Sequence, residues 1–302
     1  MGSVAVQKVY GINAPEVCEE VNRMLLGLHD EWSPCIKGNS VDLIHSSSGQ
    51  ETVQVSEHTI RVLSFAKEIG ECSGGAFDIT AGPLTDLWRT ALENKTPPDQ
   101  KSIAQACKLI NYSDLTILED NHVKLARKGQ KIDLGGIGKG YAADLAREIY
   151  IRSGIRHAVL SIGGNVLALN CRPDGSPWKV GIRNPFQPEE KPIGYVEVCD
   201  CSVVTSGDYE QFFEYTDAPA TRRYHHIIDP RTGWPSHSPV NAATIISRSS
   251  MLADALATTM VITGREHGMD LCRQYAETEW LAVEKQKNSF SPGLKDRFVP
   301  LG

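Results

Sequence analysis

Residues 131–147, KIDLGGIGKGYAADLAR, place Gly135, Gly136, Gly138 and Gly140 within six positions, between a short apolar run and an amphipathic segment. Tyr141, Ala142, Leu145, Ala146 and Ile149 then recur at helical spacing. Strand, glycine turn and helix is how a chain offers backbone N–H groups to an anion. Glycine permits close approach, and the helix N-terminus carries partial positive charge. The pattern is neither a P-loop, since no Gly-Lys-Ser/Thr follows a four-residue gap, nor the Rossmann spacing, and regular βαβ alternation is absent. Two readings stay open for the turn alone: an anion cradle, or a tight connection with no ligand.

The rest of the chain sets the context. Its 302 residues are 41% hydrophobic and 23% charged, which describes a globular protein with ample core. Thirty-one Lys and Arg against 37 Asp and Glu give a net charge of −6 without charge blocks, an unsuitable surface for nucleic acid or an anionic membrane. No apolar run approaches the ~20 residues that span a bilayer. The N-terminus MGSVAVQKVYG shows no export signal. The eight cysteines form no CxxC pair, and Cys199-Asp200-Cys201 is the one close pair. Scattered reduced thiols are expected rather than a disulfide framework or a zinc site, and hence a cytoplasmic protein. A removed leader would instead make it periplasmic or membrane-anchored.

Periodicity predicts a strand at 3–10, then a helix capped at Asn13 with stripe Val17, Val21, Met24, Leu25 and Leu28. Residues 32–49 read as a loop, and Ser56 caps a second helix carrying Ile60, Leu63 and Ile69. Gly82-Pro83 starts a third, and 102–110 a short fourth. Val123-Lys124-Leu125 and Ile132-Asp133-Leu134 read as a hairpin around Lys128-Gly129. From 157 onward short alternating segments predominate, followed by a strand at 240–247, a helix at roughly 250–264 and a strand near 279–284. Helices early and antiparallel strands late predict an α+β fold, a single interleaved unit over 1–302.

Three further segments can carry chemistry. In RYHHIIDPRTGWP, adjacent His225 and His226 face opposite sides of a strand, with His226 and Ile228 on one face and Ile227 and Asp229 on the other. Asp-Pro-Arg-Thr-Gly supplies a turn. The segment reads either as a histidine base at a strand end or as an exposed histidine pair beside a structural turn. In SSMLADALATTMVITG, Asp254 and Thr258 project from one helical face. Carboxylate, hydroxyl and a backbone carbonyl make a hard-oxygen set suited to Mg²⁺ or Ca²⁺; a buried Asp bonded to a neighbouring helix fits equally. Gly74-Gly75-Ala76-Phe77-Asp78 reads as a glycine-led strand, either presenting a backbone edge to a flat heterocycle or burying Phe77 in the core.

Taken together and in order, GGAFDITAGPL, IDLGGIGKGYAADLA, HHIIDPRTGWP and ADALATT resemble the ApbE-type FAD:protein FMN transferases. The likeness runs from Met1-Gly2-Ser3 to the strand near 284. The resemblance implies a T-fold-like α+β domain over 1–302. It further implies Mg²⁺-dependent transfer (Ca²⁺ or Mn²⁺ as alternatives) of FMN from FAD to a Thr or Ser hydroxyl of an acceptor flavoprotein, with release of AMP. Carried over residue by residue, Asp254, Thr258 and the Gly138 carbonyl hold the metal, and His226 is the base. Met1, Ala76, Phe77, Asp78, Gly135, Tyr141 and Ile228 contact FAD. Lys139 is either near the pyrophosphate or a solvated surface residue.

One departure bears on the activity. Where relatives usually carry Asn in the early NSVDLIHSS segment, this chain has His45. That change motivates an alternative, FAD pyrophosphatase giving FMN and AMP. A flavin-binding protein without turnover is the third reading.

Overall fold

The computed structural model describes residues 3–217, 220–285 and 287–301. The architecture is α+β, antiparallel sheets with packed helices, as the element order predicts. Two units emerge, each assembled from separated stretches of chain. The first comprises Met1–His29, Gly135–Gly207 and Pro239–Gly302, and the second Asp30–Leu134 and Asp208–Ser238.

The first unit is built on a seven-stranded sheet. Its order is Ala5–Tyr10, His157–Ile162, Asn165–Leu169, Cys201–Gly207, Val240–Ser247, Glu279–Glu284 and Lys287–Phe290, with every pairing antiparallel. Ile162 pairs with Asn165, so Gly163-Gly164 is a two-residue hairpin turn. Both glycines have positive φ, +54° and +95°, which such a turn requires. The helices Gly138–Arg152 and Ser250–Thr263 pack on each other and on the central strands. Ser249 caps the second, its Oγ accepting from the Leu252 N–H at 3.2 Å. That helix is buried nearly all round, from Ala253, Ala255 and Ala257 to Leu256 and Met260. A helix apolar on every side belongs in the core, and its alanines allow close neighbours.

One contact fixes how the two helices meet. A Cβ on Gly140 would lie 2.4 Å from the Ser250 carbonyl oxygen and 2.7 Å from the Met251 Cα, so no side chain fits there. Asp144, one turn later, takes the first N–H groups of the partner helix: Ser250 at 2.7 Å and Met251 at 2.9 Å, with the Ser249 hydroxyl at 3.0 Å. A carboxylate at a helix N-terminus satisfies orphan donors and complements the dipole.

In the second unit, helices Glu57–Cys72, Gly82–Asn94 and Gln100–Cys107 accompany short strands and the hairpin Phe212–Asp217/Ala220–His225. Its core includes Leu84, Trp88, Ile103, Phe213, Tyr224 and Ile228. The Trp88 and Tyr224 rings are 5.5 Å apart, and Trp88 Nε1 donates to the Gly233 carbonyl at 2.8 Å.

Several expectations are corrected. Residues 32–49 are not all loop: Ser40–Ser46 is a helix, capped by Asn39 accepting from the Asp42 N–H. Its buried pair, Val41 and Ile44, is too short a stripe for periodicity to register. The hairpin of 123–125 with 132–134 does not form. His122–Leu125 pairs with Val53–Gln54 and Leu115–Ile117, while Lys131 bridges Ala81 in parallel. Residues 73–78 are not a strand but the turn that follows the helix Glu57–Cys72, where Gly74 and Gly75 take positive φ and the Gly75 N–H returns to the Gly70 carbonyl.

The cysteines are not all reduced either: Cys171 and Cys199 form a disulfide, and the other six are free. The two half-cystines are 28 residues apart in sequence and meet beyond the end of the antiparallel pair Asn165–Leu169/Cys201–Gly207, beside Asn170 and Asp200, which adopt left-handed backbone, φ +50° and +49°. Spacing alone carries no trace of that.

Gly140→Ala is expected to lower the unfolding free energy by roughly 1–3 kcal/mol, as overpacking does; urea denaturation measures it. Thiol titration of the denatured, unreduced protein should find six reactive cysteines. Replacing Cys171 and Cys199 by serine should cost roughly 3–4 kcal/mol, the loop-closure value for such a span.

Candidate functional site

In the first unit the glycine turn and the helix Ser250–Thr263 bring the expected metal ligands onto adjoining elements. Asp254 is 2% exposed, and its Oδ2 accepts from the Gly140 N–H at 2.9 Å. Its Oδ1 has the Lys139 ammonium 4.0 Å away, and that ammonium donates to the Gly135 carbonyl at 3.0 Å. Thr258, one turn on from Asp254, shares a hydrogen bond with the Ser206 hydroxyl at 3.1 Å. Gly138 is buried as the first residue of its helix, Tyr141 is 5% exposed, and Gly135 is exposed.

This donor set suits a hard divalent cation. Asp254 offers its Oδ1, 4.0 Å from the Lys139 ammonium, and Thr258 and Ser206 offer hydroxyls, all oxygens of the kind Mg²⁺ and Ca²⁺ take. Among the described residues no group of three or more His, Cys, Asp or Glu could hold a metal. Asp144 and Ser206 were missed by sequence reasoning. Asp144 lies four residues beyond Gly140 on a polar helix face, and only the partner helix reveals its role. Ser206 is one of several hydroxyl residues in its strand, and the register alone selects it. Burial pushes the Asp144 carboxyl above its ordinary value, against the pull of its N–H donors.

In the second unit, Ala76 is fully buried, Phe77 is 6% exposed, and the Phe77 N–H donates to Ser73 Oγ at 3.0 Å. The Asp78 carboxylate ties two turns together, accepting from the Thr80 N–H and hydroxyl and from the Tyr112 N–H. Burial raises its proton affinity more than those bonds lower it. Ile228 is core. Met1 lies outside the described residues.

The two adjacent histidines part company. The strand stops at His225, and Ile227, Ile228 and Asp229 are all buried, so the expected alternation of faces does not continue past it. His225 Nδ1 accepts from the Ile227 N–H at 3.3 Å, leaving Nε2–H to donate to the Ser236 carbonyl at 3.1 Å. Both bonds require neutral imidazole, and burial lowers its pKa. His226 is half-buried and lines a cavity of about 220 Å³ together with His45, Trp88, Asp86, Lys131 and Asp133. The Gln211 carbonyl accepts from the His226 N–H at 3.1 Å and from its Nδ1 at 3.3 Å. That places the ring proton on Nδ1 and makes Nε2 the basic nitrogen.

His45 turns inward rather than to solvent: the Ile132 N–H donates to its Nε2 at 3.0 Å, and burial lowers its pKa. The Asp229-Pro-Arg-Thr-Gly turn forms as expected, the Gly233 N–H returning to the Asp229 carbonyl at 2.8 Å with φ +80° at Gly233.

With this geometry in hand, the comparisons with known proteins agree with one another. The model of the ApbE family matches residues 1–282. The chain belongs to the ApbE family. An FAD:protein FMN transferase of Treponema pallidum is 33% identical over 269 residues, 84% of this chain and 73% of that protein. The ApbE protein of Thermotoga maritima superposes with a TM-score of 0.86 at 30% identity, covering 98% of this chain and 96% of that one. The flavin transferase ApbE of Vibrio cholerae gives 0.85 at 26% identity with the same coverage. No helix among the described residues of this ApbE-family chain is long and apolar enough to cross a membrane.

The histidines set a pH dependence. Their unfolded forms protonate near pH 6.5, and His45 and His225 do so lower in the folded chain. Between those values the unfolded state binds more protons, so stability falls as pH drops below about 6.5 and levels off beneath the folded pKa. Denaturation between pH 5 and 7.5 should show a shallower fall for a His45→Asn/His225→Asn variant than for the wild type.

Proposed function

We propose that this protein transfers the FMN moiety of FAD to a Ser or Thr hydroxyl of an acceptor protein and releases AMP. Family membership carries the reading, and the hard-oxygen cluster around Asp254 and the cavity-lining His226 support it. Residues 1–302 would work as one domain. Asp254, Thr258 and the Gly138 carbonyl would hold Mg²⁺, with Ca²⁺ or Mn²⁺ as alternatives. The bound ion would supply positive charge to the pyrophosphate oxygens as the leaving group departs.

The chain's own residues do the rest. His226 Nε2 takes the proton of the acceptor hydroxyl, whose oxygen bonds to the phosphorus of the FMN half. The pyrophosphate P–O bond breaks, and AMP leaves with the electron pair. The Gln211 carbonyl keeps the imidazole in the tautomer that can accept. N–H groups at the glycine turn complement phosphate charge, and residues 76–78, Gly135, Tyr141 and Ile228 form the flavin contacts. A second reading, FAD pyrophosphatase, is favoured by His45, whose half-buried imidazole lines the same cavity as His226.

Incubation with FAD, Mg²⁺ and a protein carrying Asp-Gly-x-Ser/Thr-Gly-Ala-Thr distinguishes these readings. Covalent fluorescence on the acceptor is expected, abolished by EDTA and by His226→Ala, with FAD still bound by that variant. Free FMN and AMP without labelling would establish hydrolysis instead, and unchanged co-purifying FAD a binding protein. Full labelling by His226→Ala would remove that residue from the mechanism.

A further inference from the structure

The hairpin that leads into His226 has an unused edge. Phe212–Asp217 and Ala220–His225 pair antiparallel from Phe212↔His225 to Asp217↔Ala220 without a bulge. They form a sheet of only two strands, so each has an outer edge with no strand partner among the described residues.

The phase of the ladder can be worked out. The His226 N–H donates to the Gln211 carbonyl, making 211 and 226 a hydrogen-bonded position. Bonded and non-bonded pairs alternate in an antiparallel ladder. Phe213/Tyr224 and Tyr215/Arg222 are therefore bonded inward, and Thr221, Arg223 and His225 turn their N–H and C=O outward. His225 is buried, whereas Thr221 and Arg223 are exposed. What remains open is a short backbone ladder at Thr221 and Arg223, three residues short of His226.

Natural proteins blunt such edges with proline, bulges or charged side chains. The strands FFEYTD and ATRRYH contain no proline, lysine or bulge, and ATRRYH carries two exposed charges, Arg222 and Arg223. The Arg223 guanidinium is folded onto its own hairpin, 3.8 Å from the Phe212 ring centroid and 3.8 Å from Asp208 Oδ1.

We infer that the outer edge of Ala220–His225 is where the acceptor polypeptide docks, as an added β-strand. The inference rests on the flavin-transfer reading, which requires a protein hydroxyl to arrive at His226. Backbone pairing with Thr221 and Arg223 supplies binding that tolerates different acceptor sequences, as strand addition does elsewhere. At about 3.4 Å per residue, a strand seated there continues past His226 within roughly three residues. The edge of Phe212–Asp217 leads to Gln211 rather than to His226.

The test measures labelling of a peptide carrying Asp-Gly-x-Thr-Gly-Ala-Thr at saturating FAD. Thr221→Pro removes one outward N–H and leaves the inward ladder bonds, since Thr221 is a non-bonded position. It should raise the KM for peptide roughly 3- to 10-fold, the effect of one lost hydrogen bond, while the Kd for FAD stays put. Glu214→Pro, on the opposite edge, should leave the KM unchanged. In the wild type, hydrogen exchange at Thr221 and Arg223 should slow when FAD and a Thr→Ala peptide are added, a readout independent of how the variants fold.

An unchanged KM in folded Thr221→Pro, or protection that skips Thr221 and Arg223, overturns the proposal. So does concentration-dependent dimerisation abolished by Thr221→Pro, which would assign the edge to a second copy of this chain. Absence of any labelling by the wild type would sink the transfer reading itself, and this docking edge with it.

Discussion

The contact between Gly140 and the start of the helix Ser250–Thr263 underlies both the fold of the first unit and its chemistry. A carboxylate only 2% exposed is costly unless it is partnered. Asp254 meets that requirement with the Gly140 N–H and a lysine ammonium at 4.0 Å. The bond forms only because residue 140 has no side chain, letting two backbones approach to a distance that a Cβ would forbid. Asp144 then closes the N-terminus of the same partner helix. The same few residues thus join the two helices and hold the buried Asp254 carboxylate in place.

In the second unit the comparable economy lies in a strand that ends between two histidines. His225 is still within the strand, buried and neutral, its two nitrogens bonded to the Ile227 N–H and the Ser236 carbonyl. His226 is past its end, where the Gln211 carbonyl orients it at a cavity. The following turn is braced by Asp229, whose carboxylate takes the Arg231 guanidinium in a two-point pair, and by Trp88 bonding the Gly233 carbonyl. One imidazole is packed in the core and the next lines the cavity.

Much of this was legible in the residues. The strands at 240–247 and 279–284, the helix between them, the Ser56 cap and the Asp229-to-Gly233 turn all follow from periodicity and turn chemistry. The glycine turn and the Asp254/Thr258 spacing marked the first site group, and adjacent histidines marked the second. What escaped was non-local. Ser40–Ser46 is too short to show a stripe, and residues 131–134 resemble a hairpin strand but run beside Ala81 instead. Residues 73–78 carry strand-like residues yet are committed by Gly74 and Gly75 to the turn that follows a helix.

Sequence by itself determined which residue types were present at the site, and in what order: a carboxylate and hydroxyl one helical turn apart, glycines ahead of a helix, a histidine pair ahead of a turn. Those are local facts, set by a 3.6-residue period and by backbone preferences of individual residues. Tertiary structure alone decided which partners they met. It chose Gly140 over the other three glycines as the donor to Asp254, brought Ser206 to Thr258 through strand register, and joined Cys171 to Cys199 across 28 residues. Each of these depends on the approach of segments distant in sequence, and the energy of such contacts is written in the packing of the folded chain rather than in any one segment of it.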